Sequence, residues 1–251
     1  MAANPMDNPR VEARIQKVLL NLDELEKSLF YKEALKQLES PEMVAQIKRV
    51  IATSPHSQLQ LVLYGLGPLE PANLDEEYGV HCSCTQLAFA LLLKGKFEWI
   101  DDIVVYDPLL SFADETALHV LGCDLLYHNE NCRRTVDRPT LFFMPHCADF
   151  LTENVLNANS TPANLNKIII LGNSLSRGNP TFFHEKIESI FNRTHIQLEF
   201  PLRAADQLTD IPESNIIVWT EVKHLDPDVI IHDAFQTLSW QFFVEKNVNG
   251  S

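Results

Sequence analysis

The side chains best suited to moving a proton or attacking an electrophile are Glu130 and the adjacent pair His146 and Cys147. Cys147 falls where a helix is predicted to begin at Ala148, and a histidine, an arginine or a helix N-terminus can each hold a thiol as thiolate. Neighbours in sequence rarely form the nucleophile and base themselves, so a buried, inert thiol is the plainer reading of Cys147. Glu130 or His146 would then act as acid or base beside an acceptor. The string His81-Cys82-Ser83-Cys84, with His146 and Cys147, offers metal-type ligands, but Cys-x-Cys is not the usual zinc spacing and no metal is expected. His119 and His128 lie on helix and strand patterns and read as structural.

A second group of residues is built to receive a ligand rather than to react with it. Tyr64-Gly65-Leu66-Gly67 follows an apolar run and is part of a dinucleotide fingerprint, whose glycines allow a tight turn and close approach to a pyrophosphate. The third glycine is replaced by Glu70, and Pro68 has no N–H to offer. A loop of roughly fifteen residues, with the acidic run Asp75-Glu76-Glu77, delays the next predicted helix and turns its dipole away from a pyrophosphate. NAD is therefore disfavoured. An adenosine-type ligand such as S-adenosylmethionine suits the pattern better, with Gly65 and Gly67 admitting it to the backbone and Asp107 accepting hydrogen bonds from its ribose.

These residues need a scaffold that brings them together. From Leu59 onward, short apolar runs alternate with helical segments, as in parallel βαβ units. Strands are predicted at 59–64, 102–106, 123–127, 140–144 and 167–171, with helices at 84–93, 112–121 and 148–158 between them. Ser83 with Gln86 reads as a capping box, Ser111 as a cap over Asp114, and Gly122 as a helix-ending glycine. A helix at 182–191 and strands at 196–200, 216–220 and 238–244 complete the pattern. The expected fold is α/β: a Rossmann-like, methyltransferase-like, mainly parallel sheet with helices on both faces, spanning residues 57–246.

Each of the first five strands ends in a polar or glycine tip. The tips are Tyr64 to Gly67, then Asp107-Pro108, then His128-Asn129-Glu130, then Pro145-His146-Cys147, then Gly172-Asn173-Ser174. In a doubly wound sheet the carboxyl ends of the strands form the ligand crevice, so these segments should converge on one site. Ahead of the sheet, residues 1–56 read as a helical arm. Apolar stripes run through Val11 to Leu38, and Ser40-Pro41 starts a further helix.

Composition limits the partners. The 251 residues carry 20 Lys and Arg against 34 Asp and Glu, a formal charge of −14, which argues against nucleic acid held by phosphate contacts. No apolar run reaches the roughly 18 residues of a membrane span, and the first ten residues do not read as a secretory signal. Five cysteines, an odd number at irregular spacing, point to reduced thiols in a cytoplasmic or nuclear compartment.

The strings Tyr64-Gly65-Leu66-Gly67, Gln86-Leu87-Ala88, Tyr106-Asp107-Pro108, Leu121-Gly122-Cys123, Thr140 through Cys147 and Leu171-Gly172-Asn173-Ser174 resemble the family named for "sensitivity to red light reduced". Ala234-Phe235 and Ser239-Trp240-Gln241-Phe242-Phe243 resemble its terminal block, so the likeness runs from about Leu59 to Val244. The resemblance implies a regulatory protein of circadian clock input and light signalling in plants, and of haem biosynthesis and rhythm in animals. It implies a cytoplasmic and nuclear location and a regulatory protein partner, and it supplies no catalytic residues. With no Cys-Pro ligand pair in the chain, haem is expected as a pathway rather than as a bound group. The competing expectation is an S-adenosylmethionine-dependent, methyltransferase-like enzyme.

Overall fold

The computed structural model describes residues 8–55, 57–71, 77–175, 195–202 and 227–245. Its first three helices, α1 (Pro9–Lys27), α2 (Leu29–Leu38) and α3 (Pro41–Ile51), are punctuated by side chains. Asn8 accepts from the Arg10 N–H and Ser40 from the Met43 N–H, each ahead of a proline at the first helical position. Ser28 breaks α1 from α2: its hydroxyl donates to the Leu25 carbonyl (2.6 Å) and accepts from the Tyr31 N–H (3.1 Å).

Strands and helices then alternate through β1 (Leu59–Tyr64), α4 (Glu77–Lys96), β2 (Ile100–Tyr106), α5 (Phe112–Val120), β3 (Asp124–Leu125), β4 (Thr140–Met144), α6 (Asp149–Ala158), α7 (Pro162–Leu165) and β5 (Ile168–Asn173). The described chain ends with β6 (His195–Pro201), α8 (Pro227–Phe235) and β7 (Leu238–Glu245). The result is a mixed α/β fold around a seven-stranded sheet of order β3-β2-β1-β4-β5-β7-β6. The first five strands are parallel, and β7 runs antiparallel to both β5 and β6. Tyr64 pairs with Tyr106, Leu63 with Phe143 and Phe143 with Leu171, so the carboxyl ends of β1, β2, β4 and β5 are level.

Because alternate residues of a strand face opposite sides, the sheet divides two cores. On one face Leu61, Leu63, Val105, Leu141, Phe143 and Leu171 meet α1 to α5 and α8; on the other Val62, Tyr64, Phe142, Met144 and Ile170 meet α6, α7 and the segment 126–139. The arm is built into the first core. Phe30 of α2 stacks on Phe235 of α8 (4.5 Å) and meets Phe89 of α4 edge-on (5.7 Å). Among the described residues no helix is long and apolar enough to cross a membrane.

The local pattern misleads at three places. Helix α4 begins at Glu77 rather than Cys84, because Val80, Cys84 and Leu87 extend one apolar stripe through Gly79. Ser83 is therefore inside the helix, its hydroxyl donating to the Gly79 carbonyl at 3.0 Å, and the expected capping box with Gln86 does not form. The loop after Gly67 is correspondingly shorter than the sequence suggests. The box at Ser111 and Asp114 is present, and Gly122 follows α5 at φ +81°. Strand β3 shrinks to two residues, paired only with Val104 and Val105.

The chain from β3 to β4 crosses the second face without a helix. A polar ladder fastens it: Tyr64 to Glu130 (2.7 Å), Glu130 to Arg134 (3.1 Å), Arg134 to Gln60 (3.4 Å) and Gln60 to Asp102 (2.7 Å). Arg138 closes it with a two-point contact to Asp102, both bonds at 2.8 Å. The expected helix at 182–191 and strand at 216–220 lie outside the described residues.

Candidate functional site

Three of the five tips are fastened directly to one another. Gly65 (φ +72°) and Gly67 (φ +80°) both take the left-handed conformation that glycine adopts without strain. They also sit where a side chain has no room: a Cβ on Gly65 would lie 2.7 Å from the Cys147 sulfur, and one on Gly67 would lie 2.9 Å from the Ser83 hydroxyl. The Cys147 thiol points at the Tyr64 carbonyl (3.5 Å), and Asn173 donates from its amide to the Cys147 carbonyl (2.9 Å). The tips of β1, β4 and β5 thus close on the buried Cys147 side chain.

The tip of β2 joins from the other side. Asp107 accepts from the Gly67 N–H through one oxygen (2.9 Å) and from the Leu109 N–H through the other (2.8 Å). A carboxylate offers about four acceptor positions, two more than these bonds use. Asp107 therefore both fixes the glycine loop and keeps acceptor capacity beside it, and Pro108 next to it is exposed.

His146 adopts φ +53°, rare for a side-chain-bearing residue, and its Nε2 donates to the carbonyl of Ala234 at 3.1 Å. Gln86 of α4 donates to the same carbonyl, also at 3.1 Å, so two side chains satisfy one of the open carbonyls of the last turn of α8. A ring donating through Nε2 leaves Nδ1 as an acceptor when neutral. Pro145 is buried beneath it. At β5, Gly172 packs on the Met144 carbonyl, Gln241 donates to the Asn173 carbonyl (2.9 Å), and Ser174 pairs with Glu199 of β6.

Three expected site residues stand apart from this rim. The Tyr64 ring is 1% exposed and lies under the second face, stacked on Phe142. Burial and the bond to Glu130 push its phenol upward. Glu130 belongs to the ladder through Tyr64 and Arg134, with His128 at 3.6 Å. Asn129 is exposed and accepts from the Asn131 N–H in a local turn. His119 and His128 are solvent-exposed.

All five cysteines are free, and burial pushes each thiol from about 9 up to about 12. For Cys147 the charge at Asp107 and the neighbouring Cys132 add to that burial. At neutral pH Cys147 is a protonated packing group, which does not favour its use as a nucleophile. Among the described residues no group of three or more His, Cys, Asp or Glu side chains is placed to hold a metal ion. The N–H groups of Gly65 and Gly67 are already bonded within the fold, to the Tyr106 carbonyl and to Asp107, so the polar side chains left at the rim are the Asp107 carboxylate and the His146 ring.

The packing of Gly65 on Cys147 sets a direct test. Gly65→Ala is expected to cost about 2 to 4 kcal/mol, from left-handed strain of roughly 1 kcal/mol plus overpacking against the sulfur. In a Cys147→Ala background the second part disappears, and the cost should fall to about 1 kcal/mol. Urea unfolding of the four proteins measures this coupling. Equal costs in both backgrounds would show that the sulfur is not what excludes a side chain.

Comparison with known proteins adds identity to this geometry. The family model described as the SRR1 domain matches residues 25–242. The chain is 36% identical over 238 residues to Protein SENSITIVITY TO RED LIGHT REDUCED 1 of Arabidopsis thaliana, covering 94% of this chain and 77% of that protein. It is 33% identical over 153 residues to an SRR1-like protein of Mus musculus, covering 57% of this chain and 55% of that one.

The chain belongs to the SRR1 family.

The SRR1 match reaches back into the helical arm to residue 25, whereas the strings that suggest the family begin only at Tyr64. Those strings meet in space. Gln86-Leu87-Ala88, the His146 string and Ala234-Phe235 converge on the Ala234 carbonyl. The tips after β1, β4 and β5, with Gln241 of the terminal block, converge on Cys147 and Asn173. Sequence reasoning missed Ser83 and Gln86 as wall residues of this site, because both read as helix caps. It also passed over Gln241, whose 0% exposure inside an aromatic strand is a sign of a structured polar contact.

Proposed function

We propose that this SRR1 protein is a regulator that responds to a nucleoside-type small molecule held at the strand tips of a Rossmann-like, methyltransferase-like sheet. The observation that carries this reading is the bond from the Gly67 N–H to Asp107, which couples a glycine loop after β1 to a carboxylate after β2. That pairing holds the glycine loop beside a carboxylate able to accept from ribose hydroxyls. The Arabidopsis relative is named for reduced sensitivity to red light. Membership of the family supports a role for this chain in light signalling and circadian clock input, with regulation of haem biosynthesis as the animal counterpart. It acts in the cytoplasm and the nucleus, with a protein partner of that pathway and without nucleic acid or membrane.

A second reading is favoured by the strand order. A mostly parallel sheet with β7 reversed between β5 and β6 supports an S-adenosylmethionine-dependent, methyltransferase-like enzyme. One experiment addresses both. Melting the protein with S-adenosylmethionine, S-adenosylhomocysteine, NAD and hemin in turn should show a shift with an S-adenosyl compound alone. A ligand at 100 times its Kd adds about 2.7 kcal/mol, or roughly 5 to 11 °C at this chain length. No shift with any S-adenosyl compound at millimolar concentration overturns both readings. Steady release of S-adenosylhomocysteine from S-adenosylmethionine would establish the enzyme.

A further inference from the structure

We propose that Leu109, Phe112 and Tyr127, none of them among the polar tip residues, form the seat for the planar base of the strand-tip ligand. This rests on the nucleoside reading above and adds to it the direction in which the ligand lies and the side chains that choose its aromatic part.

The direction follows from which tips are closed. Between β1 and β4, where the strand order reverses and a doubly wound sheet ordinarily opens, Gly65 is packed on the Cys147 sulfur. Asn173 holds the Cys147 carbonyl and Ala234 holds the His146 ring, so the β4 and β5 tips are sewn to β1 and to α8. A ligand anchored at Gly67 and Asp107 must therefore extend the other way, over β2 and its neighbour β3.

That side of the rim carries exposed apolar groups. Leu109 is 69% exposed, Phe112 81% and Tyr127 82%. Single exposed apolar residues are ordinary, but these three follow two adjacent strands, and Leu109 and Phe112 follow Asp107 directly along the chain. Leu109 and Phe112 are also anchored through the backbone. The Leu109 N–H is bonded to Asp107, and Phe112 opens α5 immediately after the Ser111 capping box. Neighbouring strands lie about 4.8 Å apart, which places the β2 and β3 tips within reach of a single purine-sized ring. An exposed aromatic ring on a fixed backbone stacks on a base at little ordering cost, and the −14 charge favours a small nucleoside over a nucleic-acid strand.

The test uses the full chain and isothermal titration with adenosine and S-adenosylhomocysteine as probes. Phe112→Ala and Tyr127→Ala should each weaken binding about tenfold or more while leaving the unliganded melt unchanged, since both rings face solvent. Phe150→Ala serves as the control: that ring is 60% exposed on the β4 side, and its loss should leave both Kd values as they are. If the unaltered protein binds either probe and Phe112→Ala and Tyr127→Ala bind it equally well, the seat is wrong while the nucleoside reading stands. Equal weakening by Phe150→Ala overturns the direction assigned here. If the unaltered protein binds neither probe, the nucleoside reading itself fails.

Discussion

Arg14→Ala, in the first helix, should lower the stability of the chain by about 3 to 5 kcal/mol, a fall in Tm of roughly 6 to 20 °C. Its guanidinium is buried. The Nε donates to Asp114 at 2.5 Å, Nη1 to the Arg10 carbonyl at 2.7 Å, and Nη2 pairs with Glu70. Asp114 is only 2% exposed, and without Arg14 its charge keeps just the Ser111 N–H (2.8 Å) and hydroxyl (2.7 Å) of the capping box. An unpaired buried charge is costly where a well-paired one is nearly neutral, so most of the loss comes from Asp114. The double variant Arg14→Ala, Asp114→Ala should therefore be more stable than Arg14→Ala alone. Arg14→Lys should fall between, because an ammonium cannot serve three acceptors in a fixed fork. Thermal and urea melts decide the matter, and a loss below about 1 kcal/mol for Arg14→Ala would show the pair to be effectively solvated. Glu70 closes the loop that begins at Gly65, so the same variant tests whether the arm holds that loop in place.

Such a contact joins residues one hundred positions apart and leaves no trace in local pattern, which marks the boundary of what the sequence discloses. Strands β1 and β4 are predicted to the residue, because an unbroken apolar run buried on both faces and bounded by glycine, proline or polar residues has few other readings. Strand β3 is overextended, since an edge strand pairs on one side only and Tyr127 turns out to solvent rather than into a ladder. The start of α4 is hidden behind Gly79 and the acidic run before it, although its apolar spacing is visible in retrospect. The tips of the strands are legible as positions because the chain order of a parallel sheet places them on one rim. What they do to one another is not legible. Nothing in the string around His146 announces that its ring crosses to Ala234, or that the thiol beside it fills the space Gly65 leaves.

Those buried thiols also set an upper limit on the pH at which the fold survives. In the unfolded chain each loses its proton near pH 9, whereas burial raises Cys84, Cys123, Cys132 and Cys147 to about 12 in the folded state. The folded chain holds more protons than the unfolded one across that interval, so stability is complete below about pH 9 and falls as pH rises toward 12. One thiol contributes on the order of 1 kcal/mol of loss by pH 10, and the four together several kcal/mol, which is a large share of the stability of an ordinary domain. Tyr64, raised by burial and by Glu130, adds in the same direction at higher pH. The expected result is a cooperative alkaline unfolding centred near pH 10 to 11, followed by circular dichroism, with thiolate absorbance appearing in step with the loss of structure rather than before it. A Cys123→Ala, Cys132→Ala double variant should move that midpoint upward relative to its own stability at pH 7. Thiolate signal developing near pH 9 while the native spectrum persists would show that the cysteines titrate in the folded state, and the burial argument for Cys147 as an inert wall of the site would go with it.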